Sequence, residues 1–576
     1  MQLYSYPRSI ALALLVSLTA LLGGCETTGS GGGSAANLSA DWRSLLNRAE
    51  RTSNPVEAAR LRLNAASILQ RDDPARAAEL LALIDPTLLN AGQSDIYHRL
   101  TAQQSADALA YDAALTSLTQ IGDRSAADWL LMADTCDALD LNHCAADALI
   151  AAGELLPSGD RPVDLHARIW QALNRSKQAP PAFTNTTQHG WWLLQQAMRR
   201  ATSLSAQMDA WRRWRTLNSS HPAALDPPPG VARLASFRPP NIAVLLPLSG
   251  DLAAAGQAVQ SGLVAAFLNE PAERRSRVQF FDSAGTEPGA LWESVLQSQA
   301  QVVVGPLLKS RVDALVEIAQ YTAVPLLTLN YHTLSVPEQS PLYQLGIAIE
   351  DEATSLATAV FGDGHERVAI VHGSARWSQR ALVRFQEYWP IGLTVASFDS
   401  ISGLTQAVGQ AMQTDLSEVR KTEIANIIGH NVEFLPRSRQ DLDAIVALTN
   451  NVQSKALIPA LQFHFGDELP VYATSQAVRR GTIADLPGFA ITELPLLNAT
   501  SSKPMREIVS TYDLANSSLA DLYALGFDAY QLANWLPGLQ SADQFGFPGA
   551  SGYVWLDAGG VFRREVPLSA RNAADD

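Results

Sequence analysis

The pattern of apolar positions changes character near residue 240. From residue 40 to about 220, Ala and Leu recur at helical spacing and are cut into segments by Asn54-Pro55, Asp73-Pro74, Asp85-Pro86, Gly92, Gly122, Gly153 and Pro157. Those segments predict one helix each, including Pro55–Gln70, Ala75–Ile84, Ala108–Ile121 and Ala126–Leu139. Tyr111 to Leu118 alternates small and large residues, as closely paired tetratricopeptide-type helices do. The expected form of 40–220 is an all-α tetratricopeptide-like solenoid, with an ordinary helical bundle as the alternative.

From Asn241 the pattern reads differently. Ile242 to Leu246 is continuously apolar, as in a strand buried on both faces of a parallel sheet. Ser249-Gly250-Asp251 supplies turn chemistry, and Val259, Gly262, Leu263, Ala266 and Phe267 then mark one face of a helix. The same unit repeats. Strands are expected at Val278–Asp282, Val302–Val304, Val324–Leu329, Arg367–His372, Leu393–Asp399, Ala444–Leu448 and Pro470–Thr474, with helical patterns between most of them. About ten strands over 241–567 predict an α/β domain of two lobes. Residues 221–240, with His221-Pro222 and Pro227-Pro228-Pro229, read as a stiff linker, and 568–576 as a polar tail.

Residues 1–24 carry Arg8, an apolar run from Ile10 to Leu22, and a Leu22-Gly23-Gly24-Cys25 ending. This resembles a bacterial lipobox, which implies cleavage before Cys25 and its lipidation; an ordinary signal peptide with an incidental cysteine is the alternative. Glu26 after the cysteine implies outer-membrane sorting, by the rule for enteric bacteria. A Gly/Ser-rich tether over 25–39 follows.

Composition narrows the function. A formal charge of −15 argues against nucleic acid, which needs clustered cations. With 47% hydrophobic residues the chain is globular. Cys136 and Cys144 flank a predicted turn in an exported chain, so they form a candidate disulfide, two buried thiols being the alternative. Trp191, Trp192, Trp211 and Trp214 fit a core better than a binding surface. No nucleophile elbow, phosphate loop or paired metal-binding histidines occur, so no catalytic residue, cofactor or metal is expected.

Leu246-Pro247-Leu248-Ser249-Gly250, Leu329-Asn330-Tyr331 and Leu525-Gly526-Phe527-Asp528-Ala529-Tyr530 resemble, in order, the turns of type I periplasmic binding proteins. Within that class, Val304-Gly305-Pro306-Leu307, Leu469 to Ser475 and Thr492-Glu493-Leu494-Pro495 resemble the LpoA family. That resemblance implies an outer-membrane lipoprotein, on the periplasmic side, that binds and activates a class A penicillin-binding protein, a bifunctional peptidoglycan synthase. The alternative is a lipid-anchored solute-binding protein for an amino acid or a peptidoglycan fragment. The binding-protein likeness implies a cleft at Ser249, Gly250, Gly305, Pro306, Leu307, Asn330, Thr474, Ser475 and Glu493. Each also has a plain reading as turn or helix cap. A candidate partner patch lies in the insertion-like stretch Thr414–Arg439, at Lys421, Arg437 and Arg439, against a plain solvated loop and helix.

Overall fold

The computed structural model describes residues 42–569, apart from 158, 177–184, 202–203, 237–238, 336, 338–339, 390–391, 431–432, 434–436, 480–482, 499–502, 537–545 and 558. The expected signal segment, Cys25 and the tether lie outside the described residues. The chain forms two compact units, divided between Asp123 and Arg124.

The first unit is helical: Trp42–Arg51, Pro55–Asp72, Pro74–Ala82, Ala91–Asp107 and Tyr111–Thr119. The Asn-Pro and Asp-Pro pairs do the local work. Asn54 and Asp73 cap helices whose first residue is proline, which has no N–H to leave unsatisfied and a φ already set for a helix. Consecutive helices pair, and Leu63, Leu69, Leu80 and Leu81 bury their side chains in a shared core.

The second unit begins with more helices: Ala126–Ala138, Asn142–Leu155, Leu165–Arg175, Thr186–Arg200 and Leu204–Leu217. The first two form a hairpin in which Cys136 and Cys144 are joined by a disulfide. All four tryptophans are buried. Trp191 meets the rings of His166 and His221 edge-on, and Trp211 stacks on Trp214.

The expected linker at 221–240 is folded instead. Pro222–Leu225 and Pro229–Ser236 are helical, each opened by a proline at its first position. His221 accepts the Ala223 N–H through Nδ1, and its Nε2 lies 3.0 Å from the Thr187 carbonyl. Ala223, Ala224 and Val231 are buried. Beyond this stretch, Arg274 pairs with Asp209 at 2.9 Å and donates to the Ser205 carbonyl. Ser205 in turn donates to the buried carboxylate of Glu270. Direct packing, not a spacer, joins these helices to the α/β part.

Among the described residues the α/β part has thirteen strands, in chain order β1 (Asn241–Leu246), β2 (Arg277–Asp282), β3 (Val302–Val304), β4 (Leu326–Thr328), β5 (Leu342–Leu345), β6 (Val368–Gly373), β7 (Thr394–Phe398), β8 (Ala444–Leu448), β9 (Val471–Ala473), β10 (Phe489–Ile491), β11 (Phe547–Pro548), β12 (Tyr553–Leu556) and β13 (Val561–Glu565). They form an eight-stranded sheet, β11-β12-β13-β5-β4-β3-β1-β2, and a five-stranded sheet, β10-β9-β8-β6-β7. Among the described residues the second sheet is all parallel, and the first is parallel except at β11–β12 and β12–β13. β1 is continuously apolar because both faces are covered. Ile242, Val244 and Leu246 pack against the helices Ala253–Asn269 and Ala520–Ala533, while Ala243 and Leu245 pack toward Trp292 and Val312. Those two helices touch backbone to backbone: a Cβ on Gly262 would lie 2.0 Å from the Tyr523 carbonyl oxygen, and one on Gly526 2.0 Å from that of Val259.

The chain crosses between the sheets after β5, after β10 and after β13. The last crossing includes Leu568 and Ser569, expected in the polar tail. Leu568 pairs with Thr492, and the Ser569 N–H donates to the Ile491 carbonyl at 2.8 Å.

Candidate functional site

Parallel strands point their carboxyl ends toward the crevice where ligands of open α/β sheets bind. The first-lobe candidates form only part of such a site. Ser249 is exposed and bonds Asp282, whose carboxylate also accepts the N–H groups of Leu248 and Ala284. These bonds hold the Asp282 carboxyl below its ordinary range. Gly250, exposed with φ +73°, completes that turn. Gly305 is buried at φ +98°, where a Cβ would lie 2.2 Å from the Leu245 carbonyl oxygen. Pro306 is buried beside it, and Leu307 belongs to the core. Asn330 spends its amide internally: Nδ2 donates to the Leu307 carbonyl at 3.1 Å and Oδ1 accepts from the Tyr331 N–H.

In the second lobe the strand ends are occupied by a side chain of the protein itself. Glu352, in the first turn of the helix Ile349–Gly362, is buried. Its carboxylate accepts the Ser475 N–H at 2.8 Å, the Ser475 hydroxyl at 2.9 Å and the Thr492 hydroxyl at 2.5 Å. Burial raises its pKa and these donors oppose the rise. Thr474 is buried, and Glu493 is half-buried, its pKa raised by burial, with its N–H donated to the Pro567 carbonyl. Ser475 thus grips a carboxylate, but an internal one.

Beside Glu352 lies a second buried cluster. Arg564 on β13 donates to Asp351 Oδ2 at 3.3 Å, to the Ser551 carbonyl at 3.0 Å and to the Ala348 carbonyl at 3.1 Å. Asp528 accepts the Ala550 and Ser551 N–H groups and the Ser551 hydroxyl. Burial pushes both aspartates up to about 6, Arg564 pulling Asp351 the other way. The cluster ties the first sheet to the helix that opens the second lobe. Sequence reasoning missed it, because Glu350-Asp351-Glu352 reads as an ordinary acidic first turn facing water. Among the described residues no group of three or more His, Cys, Asp or Glu is placed to hold a metal, and no helix is long and apolar enough to cross a membrane.

The partner-patch candidates come together elsewhere on the second lobe. A helix, Thr414–Ile428, stands off the domain, and a groove of about 630 Å³ runs between it and the returning chain. Lys421, Arg437 and Arg439 all line this groove, as does Arg420, which sequence reasoning passed over. Arg439 is bound to Asp441, which raises the guanidinium pKa and holds the aspartate at about 2.

A protein of Pasteurella multocida (strain Pm70) named penicillin-binding protein activator LpoA is 27% identical over 593 residues, covering 95% of this chain and 94% of the relative. A protein of the same name from Vibrio cholerae serotype O1 (strain M66-2) is 24% identical, covering 86% and 87%. The solved structure of Haemophilus influenzae LpoA in a monoclinic form aligns with a TM-score of 0.55 at 22% identity, over 94% of this chain and 97% of that one, a likeness of fold. The model of the family described as "LppC putative lipoprotein" matches residues 34–569, and the chain belongs to that family.

Proposed function

We propose that this protein is a lipid-anchored activator of a class A penicillin-binding protein, held on the periplasmic face of the outer membrane through Cys25. It acts by binding rather than by catalysis: a partner whose active conformation it holds more tightly is shifted toward that conformation. The full-length match to its family and the name carried by its relatives support this reading. The observation that carries it against a solute-binding role is Glu352. A carboxylate of the chain already takes the N–H and hydroxyl of Ser475, the second-lobe groups expected to hold a ligand carboxylate. A solute of that class would have to displace a buried side chain.

The test mixes the chain from residue 26 onward with the class A synthases of the same organism and lipid II, and follows glycan polymerisation and peptide cross-linking. Saturable stimulation of one synthase, matched by direct binding, is expected. Absence of binding to every one of them would overturn the activator reading.

A further inference from the structure

The helix Thr414–Ile428 interrupts the β–α alternation of the second lobe, and its base is fixed. Gln413, at φ 56°, ends the helix Ile401–Met412 and starts Thr414–Ile428. Thr414 is buried with its hydroxyl 2.6 Å from His464 Nδ1. Where the chain returns, the Arg437 N–H donates to Ser417 Oγ and the Arg439 N–H to the Met412 carbonyl. The Arg439 guanidinium also reaches Thr394 Oγ1 at 2.9 Å. Above that base the helix has little cover. Leu416, Val419, Ile424, Ile427 and Ile428 are all exposed, Ile427 by 83%. An exposed run of large aliphatic side chains on a rigid element marks a surface that another molecule covers.

The charges say what kind of molecule. Four cations and one carboxylate, Glu433, line the groove in a chain whose formal charge is −15. Among the described residues Arg420 and Arg437 make no ion pair. At about 100° per residue, Leu416, Arg420, Lys421 and Ile424 share the groove face, and Ile427 and Ile428 extend it. Asp415 and Glu418 fall on the far side, and Glu423 marks the edge of the face beside Leu416. The face is therefore apolar and basic together. A bare polyanion would leave the aliphatic positions wet, and a neutral apolar segment would leave Arg420 and Arg437 without carboxylates.

We propose that this groove receives an acidic peptide segment with interleaved apolar residues, belonging to the synthase that the chain activates; this rests on the activator reading above. Carboxylates pair with Arg420 and Arg437 while apolar side chains cover Leu416, Ile424 and Ile427.

The test measures binding to, and stimulation of, the purified synthase by the full chain in detergent, at low and high salt, together with its binding to isolated sacculi. Three double variants accompany the wild type: Arg420→Glu with Arg437→Glu, Ile424→Ser with Ile427→Ser, and Arg51→Glu with Arg71→Glu, in the first unit, as a control for charge reversal in general. All substituted side chains are exposed, and far-UV circular dichroism with the melting midpoint checks the fold. Charge reversal in the groove is expected to weaken binding by about tenfold or more and to flatten its salt dependence. The isoleucine pair weakens binding with the salt dependence kept, and the control matches wild type. Wild-type stimulation that both groove variants reproduce overturns the groove and leaves the activator reading standing. A wild type that binds no synthase overturns both. Variants that keep the synthase but lose isolated sacculi identify an anionic glycan as the occupant and overturn the peptide.

Discussion

Replacing Arg564 by Met tests the idea that a buried ion pair ties the two lobes together. Methionine keeps most of the side-chain volume and removes the charge. It leaves Asp351, 3% exposed, without its cation, and it strips donors from the Ser551 and Ala348 carbonyls. Breaking one side of a buried pair costs about 3–5 kcal/mol. A loss of about 4 kcal/mol corresponds to a drop on the order of 4 °C in the melting midpoint of a unit as large as Arg124–Asp576. The pH dependence separates charge from packing. Asp351 already sits at about 6, against 3.8 in the unfolded chain, because burial outweighs the pull of Arg564 and its neighbour Arg563, with Glu350 adding a smaller upward push. A raised carboxyl pKa favours the folded state fully below 3.8, and that advantage is lost as the pH rises through the folded value. Removing Arg564 raises the pKa further, so ionising Asp351 as the pH rises costs the variant more than the wild type. Urea unfolding of wild type and Arg564→Met should therefore show a smaller stability loss at pH 5 than at pH 8. The double variant Asp351→Asn with Arg564→Met should be less unstable than the sum of the two singles. Equal losses at both pH values, with additive singles, would refute the charge argument and leave only packing.

Gly262→Ala and Gly526→Ala each place a methyl group 2.0 Å from a backbone oxygen that cannot turn aside, and each should cost about 3 kcal/mol in chemical denaturation. Neutral behaviour in both would mean the helices Ala253–Asn269 and Ala520–Ala533 are not in backbone contact. The disulfide closes a loop with a sequence separation of 8, so Cys136→Ser with Cys144→Ser should destabilise its unit by about 2.5 kcal/mol in non-reducing urea titrations. No difference from wild type would show that the bridge does not constrain the unfolded chain. His221 is held below its ordinary 6.5, chiefly by burial. Its neutral form is the one that folds, so stability is fully present above about pH 6.5 and declines as the pH falls through that value toward the folded pKa. Melting midpoints measured from pH 8 to pH 5 should fall less steeply in His221→Gln than in wild type, and parallel slopes would count against the buried histidine.

The sequence by itself determined the classes of element and their order. Period decided this: Ala and Leu at helical spacing with Asn-Pro and Asp-Pro caps read as helices, and the runs at Ile242–Leu246, Val302–Val304 and Ala444–Leu448 read as strands covered on both faces. The ordered turn motifs carried the family. Shorter strands were not legible. β10 has three residues and β5 is Leu-Tyr-Gln-Leu, too brief and too polar for periodicity, and both are strands because neighbours supply the pairing. Pro222 and Pro229 read as linker stiffeners, since the same ring that stiffens an open chain also starts a helix, and only the packing of His221, Ala223 and Val231 selects the second role. The candidate site divides in the same way. Ser249, Ser475 and Arg437 could be named from motif and composition. That Ser475 faces Glu352, 123 positions earlier in the chain, and that Arg564 meets Asp351 at a sequence separation of 213, was decided only by the crossings that bring the two sheets together. Local sequence fixes backbone preference within a few residues, but which charges leave water depends on what folds over them, and that is a property of the whole chain.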